Sequence, residues 1–171
     1  MHTLIVGARH VGKSTLIGRV RRELGRPVFG FETRKEDGLA DAVNGSPVYI
    51  YDAGGPYVQC PDRLVGYCKD RHPLVYPEAF DRFARRLCDP PPGSVVVLDE
   101  IGFMESESQP FCAAIMRLLD GDAPVIAAVK HNDTPFLQAV RRHPRCRCFA
   151  ITPENRDALS GEVLAFARMQ L

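Results

Sequence analysis

Eight residues near the amino terminus, Gly7-Ala-Arg-His-Val-Gly12-Lys13-Ser14, constrain most strongly what this 171-residue chain can fold into. They follow a short apolar run, Leu4-Ile5-Val6, and precede Leu16, Ile17, Val20 and Leu24, which recur at helical spacing. The order predicts a buried strand that turns into a helix, with Gly25 ending the helix. The loop fits GxxxxGK[ST] without a gap. Each residue type has a physical reason. Gly7 and Gly12 let the backbone turn tightly and approach a ligand closely. The N–H groups of Ala8, Arg9, His10 and Val11, with those of Lys13, Ser14 and Thr15 at the positive end of the helix, face an anion. Lys13 can reach the β- and γ-oxygens of a polyphosphate, and the Ser14 hydroxyl suits Mg²⁺. Only four lysines occur beside 18 arginines, yet one stands where the pattern requires it.

The rest of the chain continues the alternation. Val28–Thr33 reads as a strand. Asn44-Gly45 separates Leu39–Val43 from Val48–Tyr51, which predicts a hairpin, and Pro47 places its second strand at a sheet edge. Pro77 opens a helix whose apolar stripe is Phe80, Phe83, Ala84 and Leu87. After Asp89-Pro-Pro-Pro-Gly93, the run Ser94–Leu98 predicts a strand covered on both faces. Phe111, Ala114, Ile115, Leu118 and Leu119 predict a third long helix, and Val125–Val129 another buried strand. Thr134-Pro135 caps a short helix through about Arg142. Cys146–Ile151 reads as a last strand, and Leu159, Val163 and Phe166 as a closing helix. Strands alternating with helices predict an α/β fold, one domain over residues 1–171, with a mostly parallel sheet between helical layers. Right-handed crossovers bring the carboxyl ends of such strands to one edge, where ligands bind.

Two carboxylates, Asp99 and Glu100, stand where the apolar run Val95–Leu98 ends. An Asp there can hold Mg²⁺ through its water shell, and an adjacent Glu can orient and deprotonate an attacking water. Neighbours on a strand point to opposite faces, so the pair converges only if the chain bends at Glu100. Ile101-Gly102 permits such a bend.

Charge and hydropathy narrow the classes further. The 22 basic and 21 acidic residues leave a net charge of +1. That balance argues against nucleic-acid binding by bulk electrostatics. The longest apolar runs are far shorter than the roughly 18 residues that suggest a membrane span, so no membrane association is expected. The start MHTLIVGARH lacks a basic segment followed by a long apolar stretch, so no secretory signal is expected. Six cysteines without a CxxC pair read as reduced thiols of a cytoplasmic protein.

With these motifs placed, the chain resembles the P-loop nucleoside-triphosphatase family that includes the human cancer-related nucleoside-triphosphatase and its thermophile relatives. The resemblance rests on Gly7–Thr15, Gly30-Phe-Glu-Thr33, Leu98-Asp-Glu-Ile-Gly102 followed by Met104-Glu105, and Thr152-Pro-Glu-Asn-Arg156. It implies a three-layer, RecA-like P-loop domain with a small β-hairpin addition. It also implies Mg²⁺-dependent hydrolysis of ATP, GTP and other nucleoside triphosphates to the diphosphate and phosphate. By the same resemblance Lys13 and Glu100 are catalytic, Ser14 and Asp99 hold the metal, and Thr152, Pro153 and Asn155 lie near the base. Two positions depart from the family pattern. Phe103 stands where a lysine is usual, and Arg34 where many relatives carry an acidic residue. Lys130, after the strand Val125–Val129, lies at the ligand edge and can compensate for the first.

Two other functions share this scaffold: a nucleotide or small-molecule kinase, and a nucleotide-gated binding switch whose slow hydrolysis resets a partner interaction. A kinase needs an acceptor pocket and commonly a basic lid. The segment Asp52–Pro77, with Arg63, Lys69 and Arg71, is long enough to form one. Two arginine groups, Arg82/Arg85/Arg86 and Arg141/Arg142/Arg145/Arg147, read as solvated surface or as the source of an arginine finger or RNA-facing patch. Tyr67, Tyr76 and Phe103 suit either core packing or stacking on a base. His72 and His131 read as structural or surface residues.

Overall fold

A computed structural model describes residues 1–70, 72–131 and 133–171. Its strands form one eight-stranded sheet of order β5-β4-β3-β2-β6-β7-β1-β8. The strands are β1 (His2–Gly7), β2 (Val28–Lys35), β3 (Ser46–Asp52), β4 (Leu64–Lys69), β5 (His72–Val75), β6 (Val95–Ile101), β7 (Val125–Lys130) and β8 (Cys146–Ala150). Strands β2, β6, β7, β1 and β8 pair in parallel, whereas β3, β4 and β5 extend the sheet antiparallel. The helices are α1 (Lys13–Leu24), α2 (Pro77–Ala84), α3 (Phe103–Ser106), α4 (Gln109–Asp120), α5 (Pro135–Arg141) and α6 (Arg156–Arg168).

Alternation along the central strands divides the core into two layers. Val96 and Leu98 of β6, with Leu4, Ala127 and Val129, pack against Phe80, Phe83, Phe111 and Ile115 of α2 and α4. Val95 and Val97, with Ile5, Ile126 and Ala128, pack against Leu16, Ile17 and Val20 of α1 and Val163 and Phe166 of α6. Strand β6 therefore exposes neither face, as its apolar run predicts. Phe31, Phe80, Phe83 and Phe111 meet with ring centroids 4.9–6.5 Å apart in tilted or edge-on contacts.

Three sequence expectations are corrected. Leu39–Val43 is not a strand. Asp37–Leu39 forms a short 3₁₀ turn, the Asp41 carboxylate accepts from the N–H groups of Val43 and Asn44, and an isolated antiparallel bridge between the Asp41 and Gly45 backbones closes the turn. The antiparallel partner of β3 is instead β2. Pro47 does not mark a sheet edge, because β3 lies between β2 and β4. Its missing N–H costs nothing there, since β2 pairs only as far as Lys35 with Val48, and the Pro47 carbonyl still accepts from Glu36. The segment Asp52–Pro77 is not a free lid. It contains β4 and β5, so the addition to the parallel sheet is three antiparallel strands rather than a small hairpin. Arg63 bonds Asp52 at 2.8 Å, and Lys69 donates to the carbonyls of Ala42 and Val43. Arg71 lies outside the described residues.

No helix among the described residues is long and apolar enough to cross a membrane.

At the far end of β1, His2 is only 2% exposed. Its Nε2–H donates to the Leu119 carbonyl at 2.8 Å, and Nδ1 accepts from the Val125 N–H at 3.2 Å. This arrangement holds the ring neutral, because a second proton on Nδ1 would face the Val125 donor. Burial lowers its pKa below the ordinary 6.5, and the amino terminus, Arg145 and His143 push the same way against the Leu119 bond. Above that value the folded and unfolded imidazoles are both neutral. Below it the unfolded chain takes up a proton that the folded chain resists, so stability is lost as pH falls. Urea unfolding is expected to show stability falling as pH drops below ~6.5, with the loss from this residue ending once the folded imidazole is itself protonated. The His2→Asn variant should show a flatter slope, and an unchanged slope would remove His2 as the cause.

Candidate active site

The crossovers bring the ends of β1, β7 and β6 together, with β7 between the other two. The loop after β1 wraps onto α1 as its sequence predicts. At Gly7, an added Cβ would lie 2.7 Å from both the Cγ2 and the carbonyl oxygen of Ile151. Gly12 has φ of +105°, a conformation that side-chain-bearing residues rarely adopt. No side chain caps the first turn of α1, and no acidic residue lies in it. Its leading N–H groups thus face the cleft without an intrahelical partner. Val11 is buried against the α1 layer, whereas Ala8, Arg9, His10, Ser14 and Thr15 are exposed.

Lys13 is 4% exposed and curls back over the loop, donating to the carbonyls of Gly7 at 3.0 Å and Ala8 at 2.7 Å. The same ammonium lies 3.1 Å from Glu100 Oε2, and Lys130 Nζ lies 3.0 Å from Glu100 Oε1. Glu100 therefore sits between two lysines. Asp99 points the other way, and its Oδ1 accepts from the Ser14 hydroxyl at 3.0 Å. Both carboxylates face the loop because the β6–β7 register shifts between Leu98 and Ile101, the bend that the sequence required. Burial pushes the Asp99 carboxyl up to about 6, with Glu100 and Glu32 adding to it against the Ser14 bond and the charge of Lys13.

Sequence reasoning missed a supporting group behind this pair. Glu105 is 3% exposed; it accepts from the Gly102 N–H at 2.9 Å and from the Thr33 hydroxyl at 3.0 Å. Burial raises its pKa. The available signal was the acidic residue three positions after Gly102, which is capping-box spacing. Lys130 crosses the same turn, its Cδ 2.7 Å and its Nζ 3.2 Å from where a Cβ on Gly102 would stand. Burial favours its neutral form, but Glu105 and Glu100 outweigh it and the pKa is raised. Glu32, quoted only as part of a motif, accepts from Arg21 at 2.8 Å, the Gly54 N–H at 3.1 Å and the Tyr57 hydroxyl at 2.7 Å.

Two adjoining cavities open around the loop. One, of about 870 Å³, includes Glu100, Lys130, Phe103 and Val48 in its lining, and the other, of about 600 Å³, includes Ser14, Asp99, Glu32 and Tyr57. Arg9, His10, Thr33 and Lys35 line both. On the opposite flank, the turn after β8 lies against the loop, with Arg156 Cδ 3.9 Å from the Gly12 Cβ position. Here the Thr152 N–H donates to Asn155 Oδ1, Asn155 N–H to Thr152 Oγ1, and Asn155 Nδ2 to the Ala150 carbonyl. Pro153 is exposed beside them.

Other candidates are placed elsewhere. Tyr67 and Tyr76 pack edge to face on each other at 6.3 Å, while Phe103 lines the larger cavity, as does His131. His72 lies exposed on β5. Arg34 covers the Tyr57 ring at 4.3 Å. Arg86 is bound to Asp52, Arg141 to Asp133 and the Lys130 carbonyl, Arg145 to Asp122, and Arg147 to Glu162. These guanidinium groups join elements of the fold. Arg82, Arg85 and Arg142 lie on or beside the same helices, all three exposed.

Comparison with known proteins shows the family and the fold. The sequence model of the NTPase family matches residues 2–164. A nucleoside-triphosphatase THEP1 from Pyrococcus abyssi is 30% identical, covering 100% of this chain and 94% of its own length. The mouse cancer-related nucleoside-triphosphatase homolog is 26% identical over 96% of this chain and 95% of its own. The crystal structure of THEP1 from Aquifex aeolicus superposes with a TM-score of 0.72 at 25% identity, covering 98% of this chain and 99% of that one.

The close approach of Ile151 generates a prediction independent of chemistry. Gly7→Ala should cost about 1–3 kcal/mol, the usual scale for overpacking against backbone, read as a lowered urea midpoint. An unchanged midpoint would show that the two strand ends separate freely.

Proposed function

We propose that this chain, which belongs to the NTPase family, hydrolyses nucleoside triphosphates at the cleft where α1 meets the ends of β6 and β7, with Mg²⁺ as cofactor. The family supplies the reaction. The observation that supports the residue roles is the row Lys13–Glu100–Lys130 beside the pair Ser14–Asp99.

Lys13 now rests on two neutral carbonyls and Glu100. Arrival of a triphosphate offers charged oxygens, which make stronger hydrogen bonds than carbonyls, so the ammonium turns to the β- and γ-phosphates. The loop N–H groups and the α1 dipole hold the remaining negative charge. Glu100 keeps its second partner, Lys130, and one carboxylate oxygen becomes free to accept a proton from water. The water oxygen bonds to the γ-phosphorus, the bond to the β–γ bridging oxygen breaks, and the diphosphate leaves with the electron pair.

The donor set at Ser14 and Asp99 fits Mg²⁺. Both are hard oxygen ligands, close enough to share one ion, beside an open cavity that leaves room for waters and phosphate oxygens. The raised pKa of Asp99 marks a buried carboxylate that a divalent cation would hold ionised. Held there by Ser14 and Asp99, Mg²⁺ would supply positive charge against the negative charge of the phosphates.

Lys130 stands beside Glu100, where it compensates for the lysine that the resemblance expects at position 103. Thr152, Pro153 and Asn155 flank the loop on the side where the base would lie. The Asn155 amide oxygen and nitrogen are both engaged within their own turn. The turn thus offers backbone and an exposed proline ring rather than a base-reading side chain, which supports use of ATP, GTP, CTP and UTP alike.

Phosphate release from each of the four Mg·NTPs without any acceptor should be measurable and should cease with excess EDTA. Lys13→Ala should abolish it. Glu100→Gln should retain nucleotide binding by calorimetry but hydrolyse about two to four decades more slowly; normal turnover in that variant would take the base role from Glu100. Lys130→Ala is expected to lower kcat by at least roughly tenfold, the smaller end of what a charge that positions a catalytic group contributes. Untouched turnover would exclude it from the site.

A further inference from the structure

The larger cavity exceeds what hydrolysis requires. A water at Glu100 needs little room, yet about 870 Å³ of cleft continues away from the phosphate loop. Its direction follows from the strand order. The turn holding Thr152 lies after β8, on one side of β1, whereas the cavity reaches Val48 of β3, Cys68 of β4 and Pro73 of β5 on the other. From β1 to β3 is four strand steps, or about 19 Å at the usual spacing. A single nucleotide lying between the loop and the Thr152 turn leaves that arm unfilled.

The lining is also divided in kind. Arg9 and Lys35 line both cavities. The only ion pair of Lys35 among the described residues is with Asp37, a largely exposed group at 73% side-chain exposure, so solvent screens it. Phe103, Met104, Val48 and Pro73 add apolar surface to the larger cavity, and Phe103 is 39% exposed although it is a large ring beside the site. Cations and an exposed aromatic ring in one cleft match an anion carried on a flat body.

We propose that this arm binds a nucleoside 5′-monophosphate, its base on Phe103 and its phosphate between Arg9 and Lys35, and that it accepts the γ-phosphoryl group in place of water. The proposal rests on the hydrolytic reading for how the donor triphosphate is held. An oxygen of the monophosphate forms a bond to the γ-phosphorus, and the bond from that phosphorus to the β–γ bridging oxygen breaks. The bridging oxygen keeps the electron pair, so both products are nucleoside diphosphates. The attacking phosphate dianion already carries its lone pair, so no proton has to be removed. Transfer therefore depends on Glu100 far less than hydrolysis does.

The test uses the full-length protein with Mg²⁺ and ATP labelled in the γ-phosphate, with AMP, GMP, CMP or UMP added, and separates labelled phosphate from labelled diphosphate. At least one monophosphate should yield its labelled diphosphate. Glu100→Gln should cut labelled phosphate by about two decades or more and cut labelled diphosphate much less. Phe103→Ala should raise the KM for the monophosphate by roughly tenfold, the scale of losing one stacked ring, and raise the KM for ATP far less. Label found only in free phosphate with all four monophosphates overturns the acceptor site while leaving the hydrolytic reading intact. Label remaining on ATP throughout overturns both. Equal loss of the two products in Glu100→Gln, or equal KM changes in Phe103→Ala, also counts against the site.

Discussion

Strand β6 is covered on both faces, by the aromatic layer of α2 and α4 and by the α1 and α6 layer, so it has no lateral position for a charge. Asp99 and Glu100 can stand only where that cover ends, and that place is fixed by the parallel pairing of β6 with β7 and of β7 with β1. The same pairing delivers the loop after β1 to within hydrogen-bond distance of both carboxylates. The site therefore depends less on any contact inside it than on a sheet whose central strands are buried throughout.

The charge arrangement follows from this placement. Two carboxylates on adjacent residues repel, and burial makes that worse. The shift in register brings both to the loop, and the fold gives each a different neighbour, Ser14 for Asp99 and two lysines for Glu100. Glu105 completes the set from below by holding Gly102 and Thr33, and its negative charge helps to keep Lys130 protonated. The unliganded cleft is thus compensated internally, and a polyphosphate replaces partners already present rather than entering a bare field.

Much of this was legible in the sequence because the informative signals were local. The strand–loop–helix around Gly7 to Ser14, the run before Asp99 and the Thr134 cap all lie within a few residues of the structure they specify. The errors came where non-local pairing decided. Asn44-Gly45 is a true turn signal, but β3 has its ladder partner in β2, farther back along the chain, and the turn is closed by a single Asp41–Gly45 bridge and the Asp41 carboxylate. Leu64–Lys69 and His72–Val75 are short, interrupted by Gly66 and Pro73, and gain strand structure only by adding to a sheet already formed. Glu105 and Glu32 stood in the sequence only as parts of motifs, since nothing in their neighbours along the chain announces partners at Thr33, Arg21 or Tyr57.

The sheet joins two kinds of construction. Its five parallel strands are clamped between helices, whereas β5 is a four-residue edge strand, mostly exposed and paired only to β4. Backbone amides there should exchange with solvent far sooner than those of β6 or β7, because opening the edge disrupts little buried apolar surface. The far wall of the large cavity is thereby the part of the molecule that can loosen and reseat while the phosphate loop stays folded. Breadth of the cleft and rigidity of its chemistry are assigned to different halves of one sheet.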